Sequence, residues 1–143
     1  ANEDVKLVST PALSSDAARI VFSWRGDIWT SEVAGGVITR ITNHPAMDVA
    51  PEFSPEGDQI AFSSDRDNDI YLMDTFGKNV RKLTKLPGSE GSPAWSPDGT
   101  RIAFESDRDG DSDIYVMDAD GKNLLQLTDE PGVDSTPAWS PVQ

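Results

Sequence analysis

Apolar residues along this chain come in short runs, never in long stripes. Ile20-Val21-Phe22, Ile60-Ala61-Phe62 and Ile102-Ala103-Phe104 are followed, after a polar gap, by Asp27-Ile28-Trp29, Asp69-Ile70-Tyr71 and Asp113-Ile114-Tyr115. Continuous apolar runs this short are the pattern of middle strands covered on both faces. Between them stand turn formers, such as Pro97-Asp98-Gly99-Thr100 and Asp118-Ala119-Asp120-Gly121-Lys122, which carry Asp-Gly turn chemistry. No stretch keeps a 3.6-residue period free of Gly and Pro, so no helix beyond a turn is expected. In the last full unit the pattern predicts four strands, over residues 92–96, 101–106, 113–118 and 124–128.

The unit repeats. Pro51-Glu52-Phe53-Ser54-Pro55-Glu56-Gly57 returns as Pro93-Ala94-Trp95-Ser96-Pro97-Asp98-Gly99, and begins again as Pro137-Ala138-Trp139-Ser140-Pro141. A worn copy, Pro11-Ala12-Leu13-Ser14-Ser15-Asp16-Ala17, stands upstream, so the periods are 40, 42 and 44 residues. Phe22, Phe62 and Phe104 each lie 11 positions after their Pro, and Asp27, Asp69 and Asp113 each lie 24 before the next one. Only the Phe-to-Asp distance varies, as 5, 7 and 9. Side chains alternate faces with period two along a strand, so even insertions at a hairpin tip leave the core face inward. Four short antiparallel strands at this period predict an all-β fold of β-propeller blades.

These residues resemble the TolB-type propeller repeat. The last copy carries Trp95-Ser96-Pro97-Asp98-Gly99, Ile102-Ala103-Phe104, Ser106-Asp107-Arg108, Asp113-Ile114-Tyr115 and Leu127-Thr128. The first copy departs, with Leu13 for the aromatic, Ser15 for the second Pro, Ala17 for Gly and Trp24 for the Asp of Ser-Asp-Arg. Its Gly26-Asp27-Ile28-Trp29 and Gly35-Gly36 resemble the opening blade of tricorn-like protease propellers. The resemblance implies a non-catalytic scaffold that binds protein partners in the bacterial periplasm, or secreted. The alternatives are a substrate-gating propeller segment of a tricorn-like hydrolase and a calcium-dependent structural subunit of an extracellular assembly.

The expected organisation is one partial propeller domain over residues 1–143, with repeats near 11–50, 51–92 and 93–136 and a trailing inner strand over 137–143. Val5-Lys6-Leu7-Val8-Ser9 reads as a leading outer-strand fragment. Propellers have about 4 to 8 blades, so three blades form an incomplete ring with two open apolar faces. Either the chain is a fragment of a longer propeller or chains must assemble; self-association through those faces is the expectation carried forward, with two chains supplying six blades. Trp139, matching Trp95, is the expected anchor, and Trp24 an exposed partner contact at a hairpin tip.

Charge and composition narrow the partners. Twelve Lys and Arg against 25 Asp and Glu leave a net charge of −13, a field that repels nucleic acid and anionic lipid. No apolar run approaches the roughly 20 residues of a spanning helix, so membrane insertion is not expected. Cysteine is absent, which removes disulfides and thiol chemistry. Ala1-Asn2-Glu3-Asp4 has neither the charged nor the apolar region of a signal peptide.

Candidate chemistry centres on the acidic hairpin. Asp107, Asp109, Asp111 and Asp113 alternate along a Gly-containing loop, one way of presenting oxygens to Ca2+. Against calcium, Ser112 stands where an EF-hand needs Gly, and Asp118 where it needs Glu. Asp side chains also cap tight turns, and that reading needs no cofactor. The recurring aromatics read as inter-blade core. The single histidine, His44, lies in a loop beside Pro45, and no Gly-x-Ser-x-Gly, P-loop or HExxH motif is present; no catalytic residue is assigned.

Overall fold

The computed structural model describes residues 8–129 and 137–140. Twelve strands form three separate four-stranded antiparallel sheets, each in simple chain order, with no helix among the described residues. The first sheet holds β1 (Val8–Leu13), β2 (Arg19–Trp24), β3 (Asp27–Glu32) and β4 (Thr39–Arg40). The second holds β5 (Asp48–Phe53), β6 (Gln59–Ser64), β7 (Asp69–Asp74) and β8 (Arg81–Lys82). The third holds β9 (Glu90–Trp95), β10 (Arg101–Ser106), β11 (Asp113–Asp118) and β12 (Leu125–Gln126). These are propeller blades, stacked face to face with β1, β5 and β9 neighbouring one another along the inner edge of an arc that does not close.

Hairpin growth by twos leaves the register untouched. Phe22 pairs with Trp29, Phe62 with Tyr71 and Phe104 with Tyr115, although the intervening tips lengthen by two residues at each step. The pairs Phe62–Tyr71 and Phe104–Tyr115 stack at 5.8 and 5.9 Å.

A proline inside a strand normally argues against the strand, since it cannot donate to the ladder. Here a bulge accommodates it. Register shifts fall between Ser9 and Ala12, between Val49 and Glu52, and opposite Ala103 and Glu105. Thr10, Ala50 and Ser92, each just before its Pro, take φ of 48°, 53° and 52°. The extra residue bends the inner strand and frees the proline nitrogen from any ladder duty.

The Ser-Pro-Asp-Gly turn is equally local. Ser96 Oγ donates to Asp98 Oδ1 at 2.7 Å and accepts the Arg101 N–H at 3.0 Å, while the Gly99 N–H reaches the Ser96 carbonyl at 2.9 Å. Gly57 and Gly99 sit at φ 78° and 74°, and the first blade places Ala17 at φ 57° in the same position. A side chain there costs about 1–2 kcal/mol in backbone conformation.

The core lies between blades. Val21 and Ile28 of the first blade meet Phe53, Ile60, Phe62, Tyr71 and Met73 of the second. Ile70 and Leu83 on the second blade's other face meet Ile102, Phe104, Tyr115 and Met117 of the third. Each large side chain buried this way contributes about 1.5–3 kcal/mol.

Two expectations change. Val8 and Ser9 open the inner strand β1, pairing with Trp24 and Ser23, and so do not belong to an outer strand; residues 5–7 lie outside the described residues. Pro137, Ala138, Trp139 and Ser140 form no strand, and the remainder of the expected trailing strand lies outside the described residues.

Candidate functional site

Each blade closes its hairpin end with one recurring latch. Asp27, Asp69 and Asp113 begin the third strand and are buried. Fifteen residues on, the hydroxyls of Thr42, Thr84 and Thr128 donate to their Oδ1 atoms at 3.4, 2.7 and 3.3 Å. The same hydroxyls accept the N–H of Ile28, Ile70 and Ile114 at 2.8, 2.9 and 2.9 Å. Arg40, Lys82 and Gln126 complete the carboxylates from the outer strand at 2.6, 2.8 and 3.2 Å. A buried carboxylate is tolerable only with such donors. The latch was not anticipated, although the constant Asp-to-Thr spacing was its signal.

The acidic hairpin distributes its carboxylates among different partners. Asp107 Oδ1 accepts the Ser89 N–H at 2.6 Å, as Asp65 accepts that of Met47 at 2.7 Å, clasping each hairpin to the segment entering its own blade. Asp109 accepts the Tyr115 hydroxyl at 2.7 Å. Burial, with Asp109 adding to it, pushes that hydroxyl up to about 12. Asp113 belongs to the latch, and Asp111 is exposed at the tip. Arg108 lies 5.1 Å over the Tyr115 ring, as Arg66 lies 4.9 Å over Tyr71. Among the described residues no three His, Asp or Glu side chains gather to hold a metal.

Trp24 is not at a hairpin tip. It ends β2 opposite Asp27, in register with Ser64 and Ser106 and not with the Asp of Ser-Asp-Arg, because the first hairpin is the shortest. It is half-buried, packed 4.9 Å from Trp29 and covered by the Arg25 guanidinium at 4.8 Å. Trp139 is also half-buried, and its indole N–H donates to the Ala94 carbonyl of the same chain at 2.9 Å. His44 is exposed and accepts the Ala46 N–H through Nδ1 at 3.0 Å.

Two acids are set back from solvent, Glu90 buried and Glu52 half-buried. Glu90 is buried, accepts the Ser106 hydroxyl at 2.9 Å and leaves Oε2 without a partner among the described residues. Burial first, then the adjacent Asp69, push its carboxyl up to about 8. Glu52 lies at a cavity of about 240 Å³ where the inner strands converge, and burial alone raises its carboxyl to about 7.

Comparison with known proteins agrees with this architecture. The family described as TolB beta propeller domain matches residues 69–143, and the dipeptidyl peptidase IV N-terminal region matches residues 14–94. The Tol-Pal system protein TolB of Francisella tularensis subsp. mediasiatica is 40% identical over 60 residues, covering 39% of this chain and 14% of that protein. A putative TolB from Agrobacterium tumefaciens superposes with a TM-score of 0.84 at 27% identity, over 93% of this chain and 54% of that one. TolB from Acinetobacter baumannii gives 0.80 at 27%, over 92% and 34%. The chain thus spans only part of each relative it matches.

Proposed function

This chain belongs to the TolB beta propeller domain family, and on that footing we propose that its blades form a non-catalytic scaffold for protein–protein association. The observation that carries the reading is the first blade's outward face. Leu13 is 56% exposed, whereas Phe53, at the same position of the second blade, is 6% exposed against its neighbour. Ile20 and Trp29 are half-buried where Ile60, Ile102, Tyr71 and Tyr115 are buried. A contiguous apolar sheet face of this kind is what a further blade covers, whether of the same protein or of another chain.

The partner we propose for that face is the third blade of a second copy. Inside the chain the aromatic-bearing face of one blade already packs on the aliphatic face of the blade before it, twice over. Repeating that contact head to tail between two chains would join six blades, and without closure it would build a filament. Trp139 bears on this mode, since its indole N–H donates to the Ala94 carbonyl on the third blade's inner strand β9 and sets the segment after the third blade beside it. The periplasm is the compartment that the TolB relatives suggest. A hydrolase gate draws support from the match of residues 14–94 to the dipeptidyl peptidase IV N-terminal region, but the structures similar at 27% identity are TolB proteins, which favours the scaffold over that gate and over a calcium-held subunit.

Sedimentation of the 143-residue chain tests the reading. We expect a species of at least twice 15.5 kDa, reduced to monomer by Leu13→Asp and weakened by removal of residues 136 to 143. A stable monomer unaffected by either change would overturn self-association.

A further inference from the structure

The cavity at the inner edge carries a chemical asymmetry that the repeat does not require. Pro11, Pro51, Pro93 and Ala94 of the bulged inner strands and Pro137, which lies in no strand, form much of its wall, with the hydroxyl-bearing Thr10 and Ser92 beside them. Glu52 is the one ionisable side chain lining it. At the same repeat position the other copies carry Ala12, Ala94 and Ala138. Packing therefore needs only a methyl group there, and the carboxylate is an addition.

That carboxylate is uncompensated. Among the described residues it has no ion-pair or hydrogen-bond partner, and loss of water is the sole cause of its raised pKa, about 7. A half-buried carboxylate in mostly apolar surroundings, with no partner among the described residues, gains from a cation brought to it. The volume, about 240 Å³, is below the roughly 300–1,000 Å³ of pockets that hold whole small-molecule ligands. It suits one long side chain. Proline and alanine walls accept an aliphatic stem, and a guanidinium sheds water more readily than an ammonium and grips a carboxylate with two parallel hydrogen bonds.

We propose that Glu52 and the proline-lined cavity form a receptor for an arginine side chain presented by a protein partner. This rests on the scaffold reading and adds the chemistry of one contact to it.

The probe is N-acetyl-arginine amide, titrated at pH 8 into the 143-residue chain and followed by NMR at Glu52, Ser92 and Ala94. The comparison is its citrulline counterpart, which has nearly the same shape without the charge. Saturable shifts confined to the cavity, at least tenfold weaker with citrulline, are expected. Glu52→Gln should abolish the preference for arginine. Equal binding of the two probes, shifts elsewhere, or no saturation with arginine would overturn the proposal, all on the unaltered chain.

The scaffold reading fails separately. A partner that binds Glu52→Gln as tightly as the unaltered chain leaves the scaffold intact and overturns the arginine contact. Arginine binding by a chain that captures no partner and stays monomeric upholds the cavity and removes the scaffold.

Discussion

Thr84 holds the second blade shut through Asp69. Its hydroxyl donates to Asp69 Oδ1 at 2.7 Å while accepting the Ile70 N–H at 2.9 Å, and all three residues are buried. Thr84→Val keeps the shape and removes both interactions. Leaving a buried carboxylate short of a donor, and an N–H unpaired, should cost about 2–3 kcal/mol. Thr84→Ser should retain most of the stability. Urea unfolding of the two variants measures the difference.

Ala17 should be improvable. It occupies the left-handed position that Gly57 and Gly99 fill in the other turns. Relief of about 1–2 kcal/mol of conformational cost, offset by about 0.5–1 kcal/mol of extra chain entropy, predicts a net gain near 0.5–1 kcal/mol for Ala17→Gly. Ala18→Gly, at a neighbour without positive φ, should destabilise. A rise in Tm for the first and a fall for the second is the expected pair.

Stability should decline as pH rises from about 4.5 to about 8. Glu52 and Glu90 have folded pKa values raised to about 7 and about 8 from an ordinary 4.5. A raised acid contributes stability that is fully present below its unfolded pKa and lost as pH rises through the folded one. The expected window is therefore about pH 4.5 to 8, and Glu90→Gln should flatten its upper part. Asp98 works at the other end. Hydrogen bonds from Ser96 and Thr100 hold its carboxyl at about 2, so its contribution is present above 3.8 and fades as pH falls towards 2. Melting temperatures across this range check both slopes.

Chelator should leave the melting temperature unchanged, because Asp107, Asp109 and Asp113 are each occupied by separate donors. Asp109→Ala should act through Tyr115 instead. With the carboxylate gone, the hydroxyl's pKa should fall from about 12, though not to its ordinary 10, since burial is the larger cause. Tyrosine absorbance against pH measures it. A chelator-sensitive melt abolished by Asp109→Ala would restore the calcium reading.

What the sequence determined by itself is everything that depends on neighbours a few residues apart. The Ser-Pro-Asp-Gly turn, the short apolar strands and the two-residue steps between Phe and Asp are local geometry, and the strands they set bring Phe62 opposite Tyr71 and Phe104 opposite Tyr115. Blade architecture followed from repeating that local geometry. The roles of single polar residues did not, because burial and hydrogen-bond partners depend on which blades stand side by side. Trp24 looked like a tip residue by counting, yet its shortened hairpin sets it beside Trp29 and under Arg25. Asp113 looked like one of four equivalent loop carboxylates, but the outer strand brings Thr128 to it. Glu52 differed from Ala12 and Ala94 by a single letter, and only the convergence of β1, β5 and β9 turned that letter into a carboxyl at a cavity with no partner among the described residues. Desolvation is the physical reason: it belongs to the stack of blades and to no segment of the chain alone.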